Sequence, residues 1–488
     1  MGMRDRVVLY GAGRRCERMC AILEKSDITI LAIVDNNLDK QGTEMAGHIV
    51  ESPERLVEYS NEYLCICIAD SDTVTEVSNM LEEIYHYPAN NIIRYFIFRK
   101  YVYASVYSHS ERTRRMTAQI EENPFKSIVF DCYYGLELGG IEAWTMDLCT
   151  GLLQNNRKHI RIMTDDCDYE VPSIIADIVD KVSLDKQQSL EEESFYSVFR
   201  YLLSKVPCVI VTGKPNVTLL AACVLKRILP EKVSIISAIH MGNQKTYGDY
   251  ILYKDDIDLY IGVSQDIQSG MWRNGADPGK VLAMSCPFEC EKELLRTYTS
   301  DETLPVKIGY AGRMDGMEES QKRMDLLLHL IELLDREQVN FQFELAGDGV
   351  AKPAMEEFIH GHQLGQRVTF LGQIERSQIK HFWQRQDICV NVADYEGRSI
   401  SIIEAMGNGA IPVVTHVSGV SEDIVDNENG FIVPLGDIET MAERIKYLSV
   451  HRERLGQMGM LAHDMIYPKS LREPHIEFWE RILAGYGC

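Results

Sequence analysis

Glu396 and Glu404 stand with seven residues between them in the stretch DICVNVADYEGRSISIIEAMGNGAIPVVT, residues 387–415. Between them the chain runs from a polar turn into an apolar segment. A helix that begins near Ser399 offers unpaired backbone N–H groups over its first turn, and its dipole favours an anion there. A diphosphate fits that end. Glu404, more than one turn further on, is placed to accept hydrogen bonds from a ribose diol. Glu396, on the loop, is placed to reach a sugar on the far side of the phosphates. Two solvated glutamates are the plain alternative for any pair so spaced.

The elements that must hold these residues are legible around them. Ile388, Val390 and Val392 alternate as a short strand does, and 393–397 is a polar turn. Ser399 to Met406 reads as a helix, closed by Gly407 and Gly409, and 411–415 reads as a second strand. Strand, loop, helix and strand make the unit of a parallel α/β sheet.

The chain of 488 residues has a length that suggests roughly three domains. Its net charge is -23, from 50 basic and 73 acidic side chains. That balance argues against general nucleic-acid binding, which depends on clustered Lys and Arg. The 13 cysteines are scattered without paired zinc spacing, so no metal site is expected. Reduced, buried cysteines and a start that reads as a strand and glycine turn, not a signal peptide, point to the cytoplasm. No uncharged apolar run approaches the roughly 18 residues of a transmembrane helix. Peripheral membrane contact and oligomerisation stay open.

Residues 1–100 form a first unit. Val7 to Leu9 is a strand that enters Gly11-Ala12-Gly13, a helix follows from Arg14, and a strand 28–34 ends at Asp35. This is a mononucleotide-binding pattern with Cys16 at the third glycine position, and Asp35 lies 24 residues after Gly11, near where a ribose-binding acid belongs. Gly11, Gly13 and Asp35 are therefore nucleotide candidates, and a structural or docking domain is the alternative. Residues 101–125 read as a polar linker. The second unit, 126–300, opens with a strand 127–132 and a loop that ends in Gly139-Gly140 before a helix. The glycine pair would let backbone approach a ligand closely, or only make a tight turn. His240 directly follows the strand 233–239, at the carboxyl end where parallel sheets bind ligands. The third unit, 301–468, starts with VKIGYAGR, and residues 469–488 read as a closing helix.

In order and spacing, GYAGRM at 309–314, QKRMDLLL at 321–328, FELAGDG at 343–349, VTFLG at 368–372, EGRSISIIEAMGNGAIPVV at 396–414 and NGFIV at 429–433 resemble the retaining GT-B glycosyltransferases with the E-x7-E signature. GGIEAW, AIHMGN and IGVSQDI at 126–290 resemble them less closely. The resemblance implies an α/β GT-B fold, two Rossmann-like domains facing a cleft, here preceded by a third small Rossmann-like domain. It implies a metal-independent enzyme that moves a sugar from a nucleotide-diphosphate sugar to a carbohydrate, lipid-linked or other hydroxyl acceptor, in cell-surface polysaccharide or glycoconjugate synthesis, with no cofactor. A sugar-nucleotide epimerase and a non-catalytic sugar-nucleotide-binding protein are the alternatives.

By the same resemblance Arg313 and Lys322 hold the diphosphate and Glu404 the ribose. Glu396, with the backbone of Gly397, Ser399 and Ile400, holds the donor sugar. His240 lies near the sugar and acceptor, so His240 and Glu396 are the catalytic candidates, and Gly139 and Gly140 face the phosphates. The chain departs from the family at Arg398, where an aromatic is usual, and at Ser399, where glycine is. That departure bears on the shape of the sugar pocket.

Overall fold

A computed structural model of the chain describes residues 5–68, 71–118, 126–133, 135–136, 140–164, 171–182, 191–298, 300–318 and 320–488. Three sheets follow one another along it. The first holds β1 (Arg6–Tyr10), β2 (Thr29–Val34), β3 (Glu44–Met45), β4 (His48–Glu51), β5 (Tyr63–Ile66) and β6 (Ile92–Arg94), in the order β3-β4-β2-β1-β5-β6. The second holds β7 (Ser127–Cys132), β8 (Ile160–Thr164), β9 (Val179–Lys181), β10 (Cys208–Thr212), β11 (Val233–Ile239), β12 (Leu259–Gly262) and β13 (Val281–Ala283), in the order β13-β12-β11-β10-β7-β8-β9. The third holds β14 (Val306–Ala311), β15 (Phe341–Ala346), β16 (Val368–Gly372), β17 (Ile388–Asn391), β18 (Ile411–Thr415) and β19 (Phe431–Val433), in the order β16-β15-β14-β17-β18-β19. The pairs are parallel except the short β3–β4 hairpin.

Sequence explains this wiring. CVIVT in β10 and IPVVT in β18 are buried at all five positions, as strands must be when helices cover both faces of a sheet. In each sheet the first strand lies inside, flanked by strands reached in opposite directions: β1 by β2 and β5, β7 by β8 and β10, β14 by β15 and β17. The crevice beyond the carboxyl ends at such a reversal is where open α/β sheets bind ligands. The architecture is the expected one, three Rossmann-like units with the last two facing each other as a GT-B pair.

Of the segment expected to link the first two units, residues 101–118 are described, and they lie in or between two helices. Tyr95–His109 is a single helix, so residue 100 lies inside it, and Glu111–Ala118 is a second helix. The first helix packs on Val217–Ile228 of the second unit. Its Lys100, 1 % exposed, pairs with Asp256 at 2.7 Å, and Arg227 pairs with the same carboxylate. A buried lysine is tolerable only with such a partner. Phe98 and Val102 join the cores of the first and second units into one apolar cluster. The third unit has its own cores.

The chain then returns. Helix Arg472–Gly485, within the expected 469–488, lies on helix Gly140–Gln154 of the second unit. Trp479 is fully buried there, 5.5 Å from Trp144 and 6.4 Å from Phe130 between ring centres. Gly151 makes this approach feasible, because a Cβ at that position would stand 2.4 Å from Ile476 Cδ1. The described cysteines are free thiols, mostly buried.

Candidate active site

At the reversal point of the third sheet, the end of β14 and the end of β17 present their loops side by side. Arg313 follows β14, and Glu396 follows β17. The segment between β14 and helix Met324–Arg336 is pinned to the second loop. Asp394 N–H donates to Gln321 O at 3.0 Å, and the Gln321 amide donates to Tyr395 O at 3.0 Å and to Glu396 Oε2 at 3.4 Å. Arg323, held at φ 49°, pairs with Asp325 and Asp394. These bonds carry Lys322 to Glu396, where Nζ meets Oε1 at 2.5 Å with both side chains nearly buried. Arg313 completes the group: its guanidinium donates to Gln321 Oε1 at 3.4 Å and pairs with Asp315 at 2.9 Å, while two-thirds of it stays exposed. Arg313, Lys322 and Glu396 are thus brought together, with Gln321 between them.

Helix Ile400–Gly407 starts one residue later than expected, with Ser399 as its N-cap. The Ser399 hydroxyl takes no helix amide and instead accepts from Asn391 at 3.4 Å. The first-turn N–H groups, Ile400 among them, are therefore left uncapped by a side chain. Glu404 lies on the same helix, partly buried. Burial pushes its carboxyl up to about 7, with Arg376 opposing and Glu289 reinforcing the shift.

Arg398 does not enter this cleft. Its Nε and one NH2 group donate to the two oxygens of Asp423, each at 2.9 Å, with 2 % and 3 % of the two side chains exposed. Lys469 adds a third bond to Asp423 at 2.8 Å. The residue that departs from the family pattern is an anchor for the loop.

His240 comes from the second unit. Its backbone carbonyl lies against Gly397: a Cβ there would stand 2.0 Å from His240 O. Gly242 N–H donates to Glu396 O at 3.1 Å, so the two units touch at the loop that carries Glu396. The His240 ring meets Trp144 edge-on, 4.8 Å between centres, and its Nε2 is buried without a hydrogen-bond partner. Burial first, then the charge of Lys214 and the nearby His475, push its pKa down to about 3. The ring is neutral at physiological pH.

Trp144 and His475 are site neighbours that sequence reasoning did not single out. Trp144 Nε1 donates to His475 Nε2 at 3.1 Å, which leaves His475 Nδ1 to donate to Ser285 O at 2.9 Å. Desolvation holds His475 down at about 4, consistent with that neutral tautomer. The only signal was a tryptophan inside GGIEAW. Gly140 is the first residue of its helix, and Gly139 lies outside the described residues.

The first unit shows a different picture. Gly11 sits at φ +97°, and Gly13 starts the helix Arg14–Leu23 with no side-chain cap. The buried Asp35 is spent on its own chain: Oδ2 accepts from Ala12 N–H at 2.7 Å and pairs with Lys40 at 3.0 Å, and Oδ1 accepts from Asn37 N–H at 2.8 Å. Both of its oxygens are engaged by neighbours in the fold.

Residues 305–450 match the family described as "Glycosyl transferases group 1", and residues 3–93 match "C2185-like, N-terminal". Among curated relatives, the chain is 28% identical over 175 residues to poly(ribitol-phosphate) alpha-N-acetylglucosaminyltransferase of Staphylococcus aureus, covering 35% of this chain and 34% of that one. It is 31% identical over 157 residues to alpha-D-kanosaminyltransferase of Streptomyces kanamyceticus, covering 32% and 39%. The chain therefore spans little more than a third of the length of these relatives. Among solved structures, Anabaena HepE in complex with UDP and glucose superposes with a TM-score of 0.60 at 17% identity, over 74% of this chain and 100% of that one. The lipopolysaccharide outer core galactosyltransferase WaaB superposes with 0.59 at 17% identity, over 74% and 99%. The chain has the GT-B fold, and its residues 305–450 are similar to the group 1 glycosyl transferases.

Proposed function

We propose that this protein transfers a sugar from a nucleotide-diphosphate sugar to a hydroxyl acceptor, with retention at the anomeric carbon, in polysaccharide or glycoconjugate synthesis. The observation that carries the reading is the convergence of Arg313, Lys322 and Glu396 at the reversal point of the third sheet, with His240 of the second unit against Gly397. Arg313 and Lys322 supply fixed positive charge where the leaving nucleoside diphosphate gains negative charge, which is the role a metal ion would otherwise take. Donor entry then exchanges the Lys322–Glu396 pair for contacts to phosphate and sugar. The neutral His240 has a free Nε2 for a sugar hydroxyl. The acceptor oxygen attacks the anomeric carbon on the face that the diphosphate leaves, the bond to the diphosphate oxygen breaks, and that oxygen helps to take the acceptor proton. Among the described residues no group of three His, Cys, Asp or Glu side chains is placed to hold a metal ion, and no helix is long and apolar enough to cross a membrane. Buried free thiols favour a cytoplasmic setting.

The direct test is a thermal-shift screen of UDP-, GDP- and ADP-sugars, followed by calorimetry on Arg313→Ala and Lys322→Ala. Each substitution removes a charge-assisted contact and is expected to weaken donor binding by about 1.5–3 kcal/mol. Wild-type donor affinity and turnover in both variants would remove the phosphate assignment. Donor binding with no transfer to any acceptor would leave a sugar-nucleotide-binding protein.

Glu404 gives the reaction a pH signature. A ribose diol hydrogen-bonds best to the ionised carboxylate, yet burial holds the free carboxyl up at about 7. Donor binding must therefore release a proton below that value. Affinity for a nucleotide-diphosphate sugar is expected to be flat above pH 8 and to fall about tenfold per pH unit below 7, the slope of one linked proton. Glu404→Gln should bind more weakly and lose that slope. A wild-type profile that is flat between pH 5.5 and 8 counts against Glu404 as the ribose acid.

A further inference from the structure

The third unit touches the second at a place besides the Gly397 contact. Asp266 is the second residue of helix Gln265–Arg273 in the second unit, so its N–H is one of the first-turn donors with no partner inside the helix. Glu422 of the third unit supplies one: Asp266 N–H donates to Glu422 Oε1 at 3.0 Å. A carboxylate there also opposes the positive end of the helix dipole. The Asp266 side chain answers in the reverse direction, accepting from Gly419 N–H at 2.8 Å. Each carboxylate thus takes an amide from the unit opposite.

The turn that carries Gly419 and Glu422 is fixed to the loop of Glu396 from behind. Asp423, the next residue, holds Arg398 through two bonds, and Lys469 binds both Asp423 and the Glu422 carbonyl, at 2.8 and 2.7 Å. Gly419 also approaches Gly397, since a Cβ on Gly419 would stand 2.9 Å from Gly397 O. The chain of contacts runs from Asp266 through Glu422 and Asp423 to Arg398, and so to the loop between Glu396 and Ser399. None of these four side chains belongs to the group formed by Arg313, Lys322 and Glu396.

We infer that Asp266 and Glu422 are positioning residues: they latch the turn 419–423 across the domain boundary and, through Asp423 and Arg398, set where Glu396 and Gly397 stand. The consequence for rate rests on the transferase reading; the latch itself does not. An acceptor held by the second unit and a donor held by the third must meet within a fraction of an ångström, and displacement by about 1 Å costs on the order of a hundredfold in rate.

The experiment uses the full chain and three variants, Asp266→Ala, Glu422→Ala and Glu422→Gln, each checked for folding by circular dichroism. Solution scattering without ligand reads closure, calorimetry reads nucleoside-diphosphate affinity, and transfer at saturating donor reads kcat. Both alanine variants are expected to show a larger radius of gyration, nucleoside-diphosphate affinity within about twofold of wild type, and kcat reduced by about tenfold or more. Glu422→Gln keeps an oxygen that accepts the Asp266 N–H and is expected to restore compactness and most of kcat. The double alanine variant is expected to be little worse than either single one, because both remove one device. Alanine variants with wild-type radius and wild-type kcat overturn the inference, as does a glutamine variant as slow as alanine while still compact. Failure of the transferase reading looks different: wild type then binds no nucleoside diphosphate and transfers no sugar, while the alanine variants still expand if the latch is real and stay compact if it is not.

Discussion

Arg398→Ala is expected to cost the third unit about 3 kcal/mol. Breaking a buried ion pair by removing one partner costs about 3–5 kcal/mol, because the other charge is left in a poor solvent. Asp423 is 3 % exposed and loses two hydrogen bonds at 2.9 Å in this substitution. Lys469, a third exposed, stays on Asp423 at 2.8 Å and keeps the loss at the low end of that range. A cost of about 3 kcal/mol is more than a hundredfold in an opening equilibrium. Native-state hydrogen exchange of the amides in β17, β18 and the helix between them should therefore speed up by about that factor, with the first unit unchanged. The double variant Arg398→Met with Asp423→Leu should recover most of the protection, since apolar replacements of similar size avoid the stranded charge. Unchanged exchange in Arg398→Ala would show that the pair contributes nothing to the fold.

Arg398 also marks where sequence reasoning reached its limit. The position was legible as a departure from the family, and the expectation was a changed sugar pocket. A single sequence does not tell which way a long side chain runs, and its partner lies 25 residues on, beyond a strand. The strands and the loops at their carboxyl ends were readable, because alternation and glycine turns are local signals, whereas Arg313 and Lys322 were singled out only by the resemblance. Helix Tyr95–His109 was not read as a packed element. Its apolar residues lie all round, as a helix wedged between two units requires, and they carry no amphipathic stripe. Arg99 and Lys100 inside it are charged, yet the fold buries both. Asp35 was read correctly as a residue that closes β2 beside a glycine turn. What the sequence lacked was the partner: the carboxylate is turned onto Ala12 and Asn37 of its own unit. Trp144, His475, Asp266 and Glu422 escaped for the same reason, since each acts on a residue distant in the chain.

Gly397→Ala is expected to abolish transfer while leaving nucleoside-diphosphate binding nearly intact. The added methyl group would stand 2.0 Å from His240 O, 2.6 Å from His240 C and 3.1 Å from Met241 N. All three are backbone atoms just beyond the end of β11, so no side chain can rotate away to make room. The structure relieves the overlap only by moving the two units apart or by withdrawing the loop that carries Glu396, because Gly242 N–H is bonded to Glu396 O on the adjacent residue. Arg313, Lys322 and Glu404 all lie on the third unit and are untouched by that opening. A displacement of about 1 Å between donor and acceptor groups is enough to reduce kcat by on the order of a hundredfold. Calorimetry with nucleoside diphosphate should give an affinity within about twofold of wild type, a difference worth under about half a kcal/mol. Gly361→Ala serves as the control, since a Cβ there meets nothing within 4 Å. It should behave as wild type in both assays. Full turnover in Gly397→Ala would mean that the approach of His240 to this loop is not part of the reacting arrangement. Lost nucleoside-diphosphate binding with retained closure would instead move Gly397 from the sugar side of the site to the phosphates.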